Sequence, residues 1–335
     1  MKASFLATAT YAGPSGGGWP VPPVQCDRKI ASDSMQKSLA SCRLADELGF
    51  DWISLSEHHY APLMLTPNPL VMAGAVSQAT SRCKIALLGP LLPLANPVRV
   101  AEEIAMLDSL SGGRVVVLFL RGTPNEHHTY ADVAAQSRAM TQEGIELILK
   151  AWTSEEPFSW EGEHFQFGTV SVWPRSVQTP HPPVFGSGNS EESAAFAGKH
   201  RLGMGISFAP PKIIRHWIEV YREAADKACW TPGPEHILYR GNCHVADSDE
   251  AAQEAVKGHA PSFPIDPEGP LAYIARPYFL GSPDTVLAQA EVLHELGIGV
   301  IDLAFAAGIG TIDYEQQADV MKQFAEEIMP TVQAW

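Results

Sequence analysis

The 335-residue sequence lacks three kinds of segment, and each absence excludes a class of protein. Its five cysteines are far apart and form no C-x-x-C pair, so a zinc ribbon and a thioredoxin-like redox motif are excluded. No G-x-G-x-x-G turn occurs, which argues against a dinucleotide-binding domain. No apolar run approaches the roughly 18 residues that a membrane span requires. We therefore expect no membrane association.

Positive charge is also scarce, with 23 Lys and Arg residues against 38 Asp and Glu residues and a formal net charge of −15. Nucleic-acid binding needs clustered Lys and Arg, so no nucleic-acid partner is predicted. Free thiols in odd number suit a reducing compartment, and we predict a cytoplasmic protein. The H-x-H pair of metal-dependent hydrolase barrels is absent, so no metal site is predicted.

Short apolar strands alternate with longer segments of helical periodicity along the whole chain. The strand candidates are residues 5–9, 52–55, 84–92, 114–120, 183–188, 202–208, 237–246 and 300–306. Eight such strands alternating with helices predict a single (β/α)8 TIM-barrel domain over residues 1–335. A doubly wound open sheet is the alternative fold, but it would be expected to open with the glycine-rich turn that is absent.

Two stretches interrupt the alternation. Residues 153–180 are rich in aromatic residues and prolines, and we predict an inserted hairpin or loop. Residues 259–280 are rich in proline and carry Phe263, Tyr273, Tyr278 and Phe279. Because long loops of this kind are often functional, we predict a lid over the active site, with an ordinary surface excursion as the alternative.

Polar clusters follow three of the predicted strands, at the barrel end where active sites are assembled. They are Glu57-His58-His59, Arg121 with Arg138 on the next helix, and Gly188-Asn189-Ser190. A glycine-rich turn that opens a helix presents free N–H groups to a phosphate, although it also serves as an ordinary helix cap. Two arginines at the same rim would complete a site for a phosphate monoester, whereas salt bridges to nearby carboxylates are their ordinary use.

The adjacent histidines are candidates for proton transfer. Neighbouring side chains on an extended segment point to opposite sides, so only one histidine could readily serve a shared site. General acid–base work by one of them is the functional interpretation, and a structural hydrogen-bonding pair is the alternative.

Six segments, in this order, resemble the bacterial luciferase-like flavin monooxygenases over nearly the whole chain. They are GFDWISLSEHHY, LLPLANPVRVAEEIAMLD, SGGR, LRGTPNE, GIELILKAW and GSPDTVLAQAEVLHELGI. The resemblance implies a TIM barrel that binds reduced FMN, supplied by a separate NAD(P)H-dependent flavin reductase. Oxygen would form a flavin C4a-(hydro)peroxide, which would oxygenate a small organic substrate by hydroxylation, Baeyer–Villiger insertion or aldehyde oxidation. It also implies a homodimer.

The resemblance assigns roles to individual residues. It places His58 at the flavin reaction centre, with Glu57 bordering the ring and His59 beside them. The expected cofactor contacts are Arg121 and Arg138 on the phosphate, Gly188, Asn189 and Ser190 at the helix start, Phe208 on the ring, and Leu88–Gly89 beneath it. The family carries a non-prolyl cis peptide at that last position.

Two residues depart from the luciferase pattern. Luciferase has a cysteine where Leu120 stands and a serine where Glu192 stands. A carboxylate would repel a phosphate, so Glu192 is expected to point away or to bond through a neighbour. Two other functions stay open: hydride transfer with the deazaflavin F420, which the E-H-H motif disfavours, and flavin binding without catalysis.

Overall fold

The computed structural model describes residues 1–16, 18–130, 133–257, 278–305 and 313–335. The strands are β1 (Lys2–Leu6), β2 (Trp52–Leu55), β3 (Lys84–Leu91), β4 (Val115–Leu120), β5 (Phe158–Glu161), β6 (Gln166–Val170), β7 (Val184–Ser187), β8 (Gly203–Ser207), β9 (Ile237–Val245), β10 (Phe279–Gly281) and β11 (Val300–Phe305). The helices are α1 (Arg28–Leu48), α2 (Pro69–Ala79), α3 (Pro97–Ser111), α4 (Pro124–His127), α5 (Ser137–Thr153), α6 (Glu191–Lys199), α7 (Pro211–Lys227), α8 (Asp249–Val256), α9 (Pro283–Glu295), α10 (Tyr314–Glu327) and α11 (Met329–Ala334).

Eight parallel strands close into a barrel in the order β1-β2-β3-β4-β7-β8-β9-β11. Closure comes from the pairing of β11 with β1, in which Lys2 lies opposite Val300 and Phe5 opposite Leu303. Helices connect the strands, so the predicted (β/α)8 barrel is confirmed, and each barrel strand overlaps a predicted one. The short strand β10, which pairs with the end of β9, was not predicted.

The helix boundaries follow the sequence signals. Asn68 and Asn96 cap α2 and α3 by accepting main-chain N–H groups of the first turn, and a proline follows each cap. Gly49 and Gly112 end α1 and α3 in the left-handed conformation, at φ 96° and 70°. A proline at the first position and a glycine just past the end are the residues that these backbone conformations favour.

The antiparallel strands β5 and β6 form a small separate sheet within residues 153–180. The Glu143 carboxylate on α5 anchors it, because it accepts hydrogen bonds from the Trp160 indole at 3.0 Å and from the backbone N–H of His164 at 2.9 Å. These bonds lower the pKa of Glu143 against the opposing effect of its desolvation.

Residues 259–277, which are most of the predicted lid, lie outside the described residues. Tyr278 and Phe279 at its end are described. Phe279 is fully buried in β10, and both rings pack edge-on against Tyr239 of β9. These two residues therefore belong to the barrel wall, and the lid itself stays a prediction.

The amino-terminal face of the barrel is held by Arg114, which precedes β4. Its guanidinium donates five hydrogen bonds of 2.7–3.1 Å that join α2, α3 and the start of β3. The acceptors are the carbonyl oxygens of Ser77, Thr80, Cys83 and Ser111 and the hydroxyl of Thr80. No helix in the described ranges is long and apolar enough to cross a bilayer.

Candidate active site

The ends of β2 and β3 form one corner of the opposite rim. The Ser56 hydroxyl donates to the Leu88 carbonyl at 2.9 Å, and the Leu91 N–H donates to the Glu57 carboxylate at 3.1 Å. Gly89 adopts φ 150°, and a Cβ there would lie 3.1 Å from the Glu57 nitrogen. Glycine is the residue that tolerates both features, because L side chains avoid this φ value and a Cβ atom would be too close to the Glu57 nitrogen.

The Leu88–Gly89 peptide differs from the prediction. Among the described residues the cis bonds are Trp19–Pro20, Trp173–Pro174 and Thr179–Pro180, so the expected non-prolyl cis bond is wrong. The close approach of the two segments is achieved by the positive φ of Gly89 instead. The Leu88 side chain is buried, in the apolar cluster that also contains Trp52.

His58 is the accessible histidine of the pair, with 26% of its side chain exposed. Its Nδ1 lies 3.1 Å from Glu126 Oε1 on α4. The carboxylate is buried, and its other oxygen accepts the Thr123 N–H at 3.0 Å together with the Thr123 hydroxyl. Burial would raise the pKa of Glu126, but the bonds and charge of His58 and the Thr123 bonds outweigh it and lower the pKa to about 2.

The charge on Glu126 fixes the tautomer of His58. An ionised carboxylate only accepts hydrogen bonds, so Nδ1 carries the proton of this bond. In the neutral ring Nε2 is then the atom without a proton. Nε2 can accept a proton and return it, which is the property required of a general base.

His59 turns the other way, as expected for neighbours on an extended segment. Its ring is buried, packs edge-on against Tyr60 and Tyr130, and places Nε2 at 3.0 Å from Glu57 Oε1. Glu57 is thus shared between His59 and the Leu91 N–H. Of the three predicted catalytic residues, the geometry gives His58 access to the rim and gives Glu57 and His59 a supporting position.

Four of the predicted phosphate-site residues, Arg121, Arg138, Asn189 and Ser190, line one cleft of about 100 Å³ between the ends of β4 and β7 and the helices α5 and α6. Its polar lining includes Arg121, Arg138, Ser187, Asn189, Ser190 and Ser193. Arg121 and Arg138, 17 residues apart in sequence, are therefore neighbours in the fold.

The two arginines differ in their partners. Among the described residues, none forms an ion pair or hydrogen bond with the Arg121 guanidinium. Its pKa is lowered first by burial and then by the charge of Arg138, with Glu192 opposing. Two neighbouring guanidinium groups of this kind favour a bound anion.

Arg138 contacts the beginning of α6. It forms an ion pair with Glu192 Oε2 at 2.8 Å and donates to the hydroxyls of Ser190 at 3.3 Å and Ser193 at 3.4 Å. The sequence led us to expect that Glu192 points away from the phosphate site or bonds to a neighbour. The structure shows the second arrangement, because the Glu192 carboxylate pairs with Arg138. It is 71% exposed, so a bound anion could displace it at small cost.

The first turn of α6 supplies further donors. The Ser190 hydroxyl caps the helix by accepting the Ser193 N–H at 3.2 Å, and the N–H groups of Glu191 and Glu192 have no intrahelical acceptor. With the positive end of the helix dipole, such groups bind phosphate.

Gly188 and Asn189 fix the loop before α6 rather than offering side-chain ligands. The Gly188 N–H donates to Gly205 at 2.7 Å, and a Cβ on Gly188 would lie 2.4 Å from Met204. The Asn189 side chain donates to the Ser207 carbonyl and accepts its N–H, both at 2.8 Å. Their contribution to the cleft is therefore its shape.

Phe208 follows β8 with a strained backbone. It adopts φ 60°, a rare value for a bulky residue, and its N–H donates to the Arg240 carbonyl at 2.8 Å. Its ring is half-buried. Its role against a flavin ring stays a prediction.

The chain is similar to known proteins in both sequence and structure. Residues 17–299 match the family model described as luciferase-like monooxygenase. The chain belongs to the luciferase-like monooxygenase family. The predicted family is confirmed.

Two curated relatives illustrate the relationship. This luciferase-like chain is 30% identical over 187 residues to the alkanal monooxygenase alpha chain of Photorhabdus luminescens, covering 55% of this chain and 51% of the relative. It is 25% identical over 236 residues to the oxygenase component of the flavin-dependent trigonelline monooxygenase of Acinetobacter baylyi, covering 68% and 64%. The chain thus matches between half and two thirds of the length of these relatives.

Solved structures show the same fold. The monooxygenase RslO1 of Streptomyces bottropensis superimposes with a TM-score of 0.81 at 25% identity, covering 99% of both chains. An F420-dependent secondary alcohol dehydrogenase superimposes with a TM-score of 0.74 at 20% identity, covering 99% of this chain and 98% of the other. The second likeness concerns the fold alone.

The donor set of this luciferase-like protein fits the phosphate of a flavin mononucleotide. Arg121, Arg138, the Ser190 hydroxyl and the first N–H groups of α6 all supply donors to one cleft. Glu192 is the one carboxylate that contacts these donors in the described chain. The described residues contain no group of three His, Cys, Asp or Glu side chains that could hold a metal ion.

Sequence reasoning missed three residues of this region. Glu126 could have been found from the T-P-N-E string, which fits the capping-box pattern that the structure shows at Thr123–Glu126. Arg240 and Asp302 could have been found as isolated charges in the middle of two predicted apolar strands. Both are buried and form an ion pair, with Arg240 Nε 2.7 Å from Asp302 Oδ2.

Proposed function

We propose that this chain is the oxygenase component of a two-component system. It would take reduced FMN from a separate NAD(P)H-dependent flavin reductase and use oxygen to oxygenate a small organic substrate. The observation that carries the proposal is the cleft in which Arg121 and Arg138 face the start of α6, on the same rim as the accessible His58. The relatives named as alkanal monooxygenase and trigonelline oxygenase component support it.

We assign different roles to the residues of this site. Reduced flavin, when bound, would supply the chemistry that activates oxygen. Arg121, Arg138 and the first turn of α6 would hold its phosphate, and Phe208 would pack against its ring. His58 would hold or move a proton at Nε2 while Glu126 retains the proton on Nδ1.

A flavin titration tests the phosphate site. Arg121→Gln should weaken FMN binding by about 30- to 100-fold, the cost of removing a partly buried charge partner. Riboflavin, which has no phosphate, should bind the wild type and the variant alike. Arg99→Gln is the matched control, because Arg99 lies exposed on α3 and pairs with Glu103 at 2.8 Å. Equal loss of FMN and riboflavin affinity, or no loss, would contradict the proposed site.

Turnover tests the reaction. The chain, supplied with flavin reductase, FMN, NADH and oxygen, should consume an added substrate and form an oxygenated product. Release of hydrogen peroxide alone with every substrate offered would favour flavin binding without catalysis.

The fold is shared with an F420-dependent dehydrogenase, so titration with F420 beside FMN decides the cofactor. Tighter binding of F420 would contradict the proposal.

A further inference from the structure

The short helix α4 lies between the two halves of the candidate active site. Its residue Glu126 holds His58 through the 3.1 Å contact between Oε1 and Nδ1. The next residue, His127, is buried, and its Nε2 lies 3.1 Å from the carbonyl oxygen of Arg121. Adjacent residues of one helix therefore contact the histidine proposed for proton transfer and the backbone of a proposed phosphate ligand.

The contact with Arg121 fixes the tautomer of His127. A carbonyl oxygen only accepts hydrogen bonds, so Nε2 of His127 carries the proton and donates it. The ring is 5% exposed, so water does not compete for this bond. A hydrogen bond in such an interior is stronger than the same bond in water.

Both peptide units that flank Gly122 are held by side chains of α4. The carbonyl of the first unit, from Arg121, accepts the His127 bond, and the N–H of the second, from Thr123, donates to Glu126 Oε2 at 3.0 Å. Gly122 has φ 89°, and a Cβ there would lie 3.3 Å from the Cβ of Glu126. The backbone is therefore fixed on both sides of a residue that could otherwise adopt many conformations.

Arg121 depends on this backbone for its position. No described residue forms an ion pair or hydrogen bond with its guanidinium, whereas Arg138 across the cleft is held by Glu192 and Ser190. The direction of the Arg121 side chain is thus set where the chain leaves β4. At that point His127 holds the carbonyl of the same residue.

We propose that His127 is a positioning residue that links the phosphate cleft to His58. It holds the Arg121 backbone so that the guanidinium faces the cleft. When a phosphate binds and orders Arg121, the shared helix orders Glu126 and its bond with His58 as well. The inference rests on the proposed function in taking the bound anion to be the flavin phosphate.

Titration of the flavin-free protein with oxidised FMN and with riboflavin tests the positioning of Arg121. His127→Leu removes the donor, so it should weaken FMN binding by about 3- to 10-fold, the value of one hydrogen bond. Riboflavin affinity should not change, because riboflavin has no phosphate. His127→Gln places an amide N–H near the position of Nε2 and should restore the FMN affinity. His127→Phe, which keeps a ring of similar shape, replaces His127→Leu if that variant does not fold.

The Nδ1–H proton of His58 tests the link between the two halves. Labelling the histidines with 15N makes this proton observable by NMR, and its loss in His58→Asn assigns it. FMN should slow its exchange with solvent about 5-fold more than riboflavin does, the lower end of the usual coupling between two sites. The difference between the two flavins should disappear in His127→Leu and return in His127→Gln.

His181→Leu is the matched control. His181 also bonds to a backbone carbonyl, with Nδ1 2.7 Å from the Pro182 oxygen, but it precedes β7 at the amino-terminal face. This variant should keep the wild-type ratio of FMN to riboflavin affinity. It should also keep the wild-type exchange of the His58 proton with each flavin.

Three results would overturn the inference. They are an unchanged FMN affinity in folded His127→Leu, an equal loss of FMN and riboflavin affinity in that variant, and equal exchange of the His58 proton with the two flavins in the wild type. Failure of the proposed function is distinguishable, because Arg121→Gln would then keep the wild-type FMN affinity. A loss of FMN affinity in Arg121→Gln but not in His127→Leu rejects the role of His127 and leaves the phosphate site intact.

Discussion

At the scale of single residues, the two histidines of the E-H-H segment are distinguished by their carboxylate partners. His58 pairs with Glu126 and reaches the rim, while His59 pairs with Glu57 and is buried. The adjacent-residue rule predicted that they would diverge, but it could not say which one would face the rim. That choice depends on Glu126, which is 68 residues away in sequence and is brought close by α4.

His58→Asn tests the role of Nε2. The Asn amide can replace the Nδ1–H donor to Glu126, so folding and FMN affinity should be retained. Product formation should fall by about 100-fold or more, the usual contribution of general acid–base catalysis. Single-turnover product yield is the measurement.

His200→Asn is the matched control for this variant. His200 also lies near a glutamate, with Nε2 3.5 Å from Glu146, but it follows α6 at the other end of the barrel. Its substitution should leave the product yield unchanged. Unchanged yield in His58→Asn would remove His58 from the chemistry.

Glu126→Gln should change the acid stability of the protein. The folded-state pKa of Glu126 is lowered from 4.5 to about 2, so its ionised form stabilises the fold above pH 4.5. That stabilisation, on the order of 3 kcal/mol, is lost as the pH falls from 4.5 towards 2. The variant should therefore be less stable at neutral pH, and the difference should shrink below pH 4.5. Urea unfolding at pH 7, 5, 4 and 3 measures it, and a difference independent of pH would contradict the assignment.

At the scale of elements, the first turn of α6 is where the fold and the chemistry meet. Ser190 ends the irregular segment after β7 and caps the helix, and Arg138 reaches it from α5. The sequence predicted the helix start and both arginines of the cleft. It did not predict the ion pair of Arg138 with Glu192, because a glutamate at a helix start is also an ordinary dipole-stabilising residue.

Glu192→Gln should strengthen FMN binding. The substitution frees Arg138 and removes a negative charge near the phosphate, and at an exposed site the gain should be about 2- to 5-fold. Fluorescence quenching of FMN measures the affinity. Glu191→Gln is the control, because Glu191 is in the same turn but pairs with His216 on α7 at 2.8 Å. Equal gains in both variants would assign the effect to the helix terminus instead of Arg138.

At the scale of the whole molecule, the barrel has one face devoted to stability and one to binding. Arg114 at the amino-terminal face has five hydrogen bonds, whereas Arg121 at the carboxyl-terminal face has none with the described residues. The alternation of strands and helices predicted the barrel, since each buried strand needs helices on its outer side. It could not predict the interior pair of Arg240 and Asp302, because their partnership depends on strand register across β9 and β11.

Arg114→Met should lower the free energy of unfolding by about 3 kcal/mol or more, since five hydrogen bonds are lost at once. FMN affinity should not change, because the substitution lies at the other face. Arg82→Met is the control: Arg82 is exposed on the same face, and its side chain forms no hydrogen bond with a described residue. A change within about 0.5 kcal/mol is expected for it. Loss of FMN affinity in folded Arg114→Met would contradict the division between the two faces.

The pairing of β1 with β11 also sets an order of events during synthesis. The cylinder cannot close until residue 305 has left the ribosome, so β1 and β9 wait with unpaired edges while nearly the whole polypeptide is translated. Asp302 lies on that last strand, so its hydrogen bonds with Ser4, Ser54 and Arg240 can form only when β11 joins the barrel. A nascent chain stalled before β11 should therefore be prone to aggregation and inactive. Activity should appear in a single late step, once β11 has been synthesised.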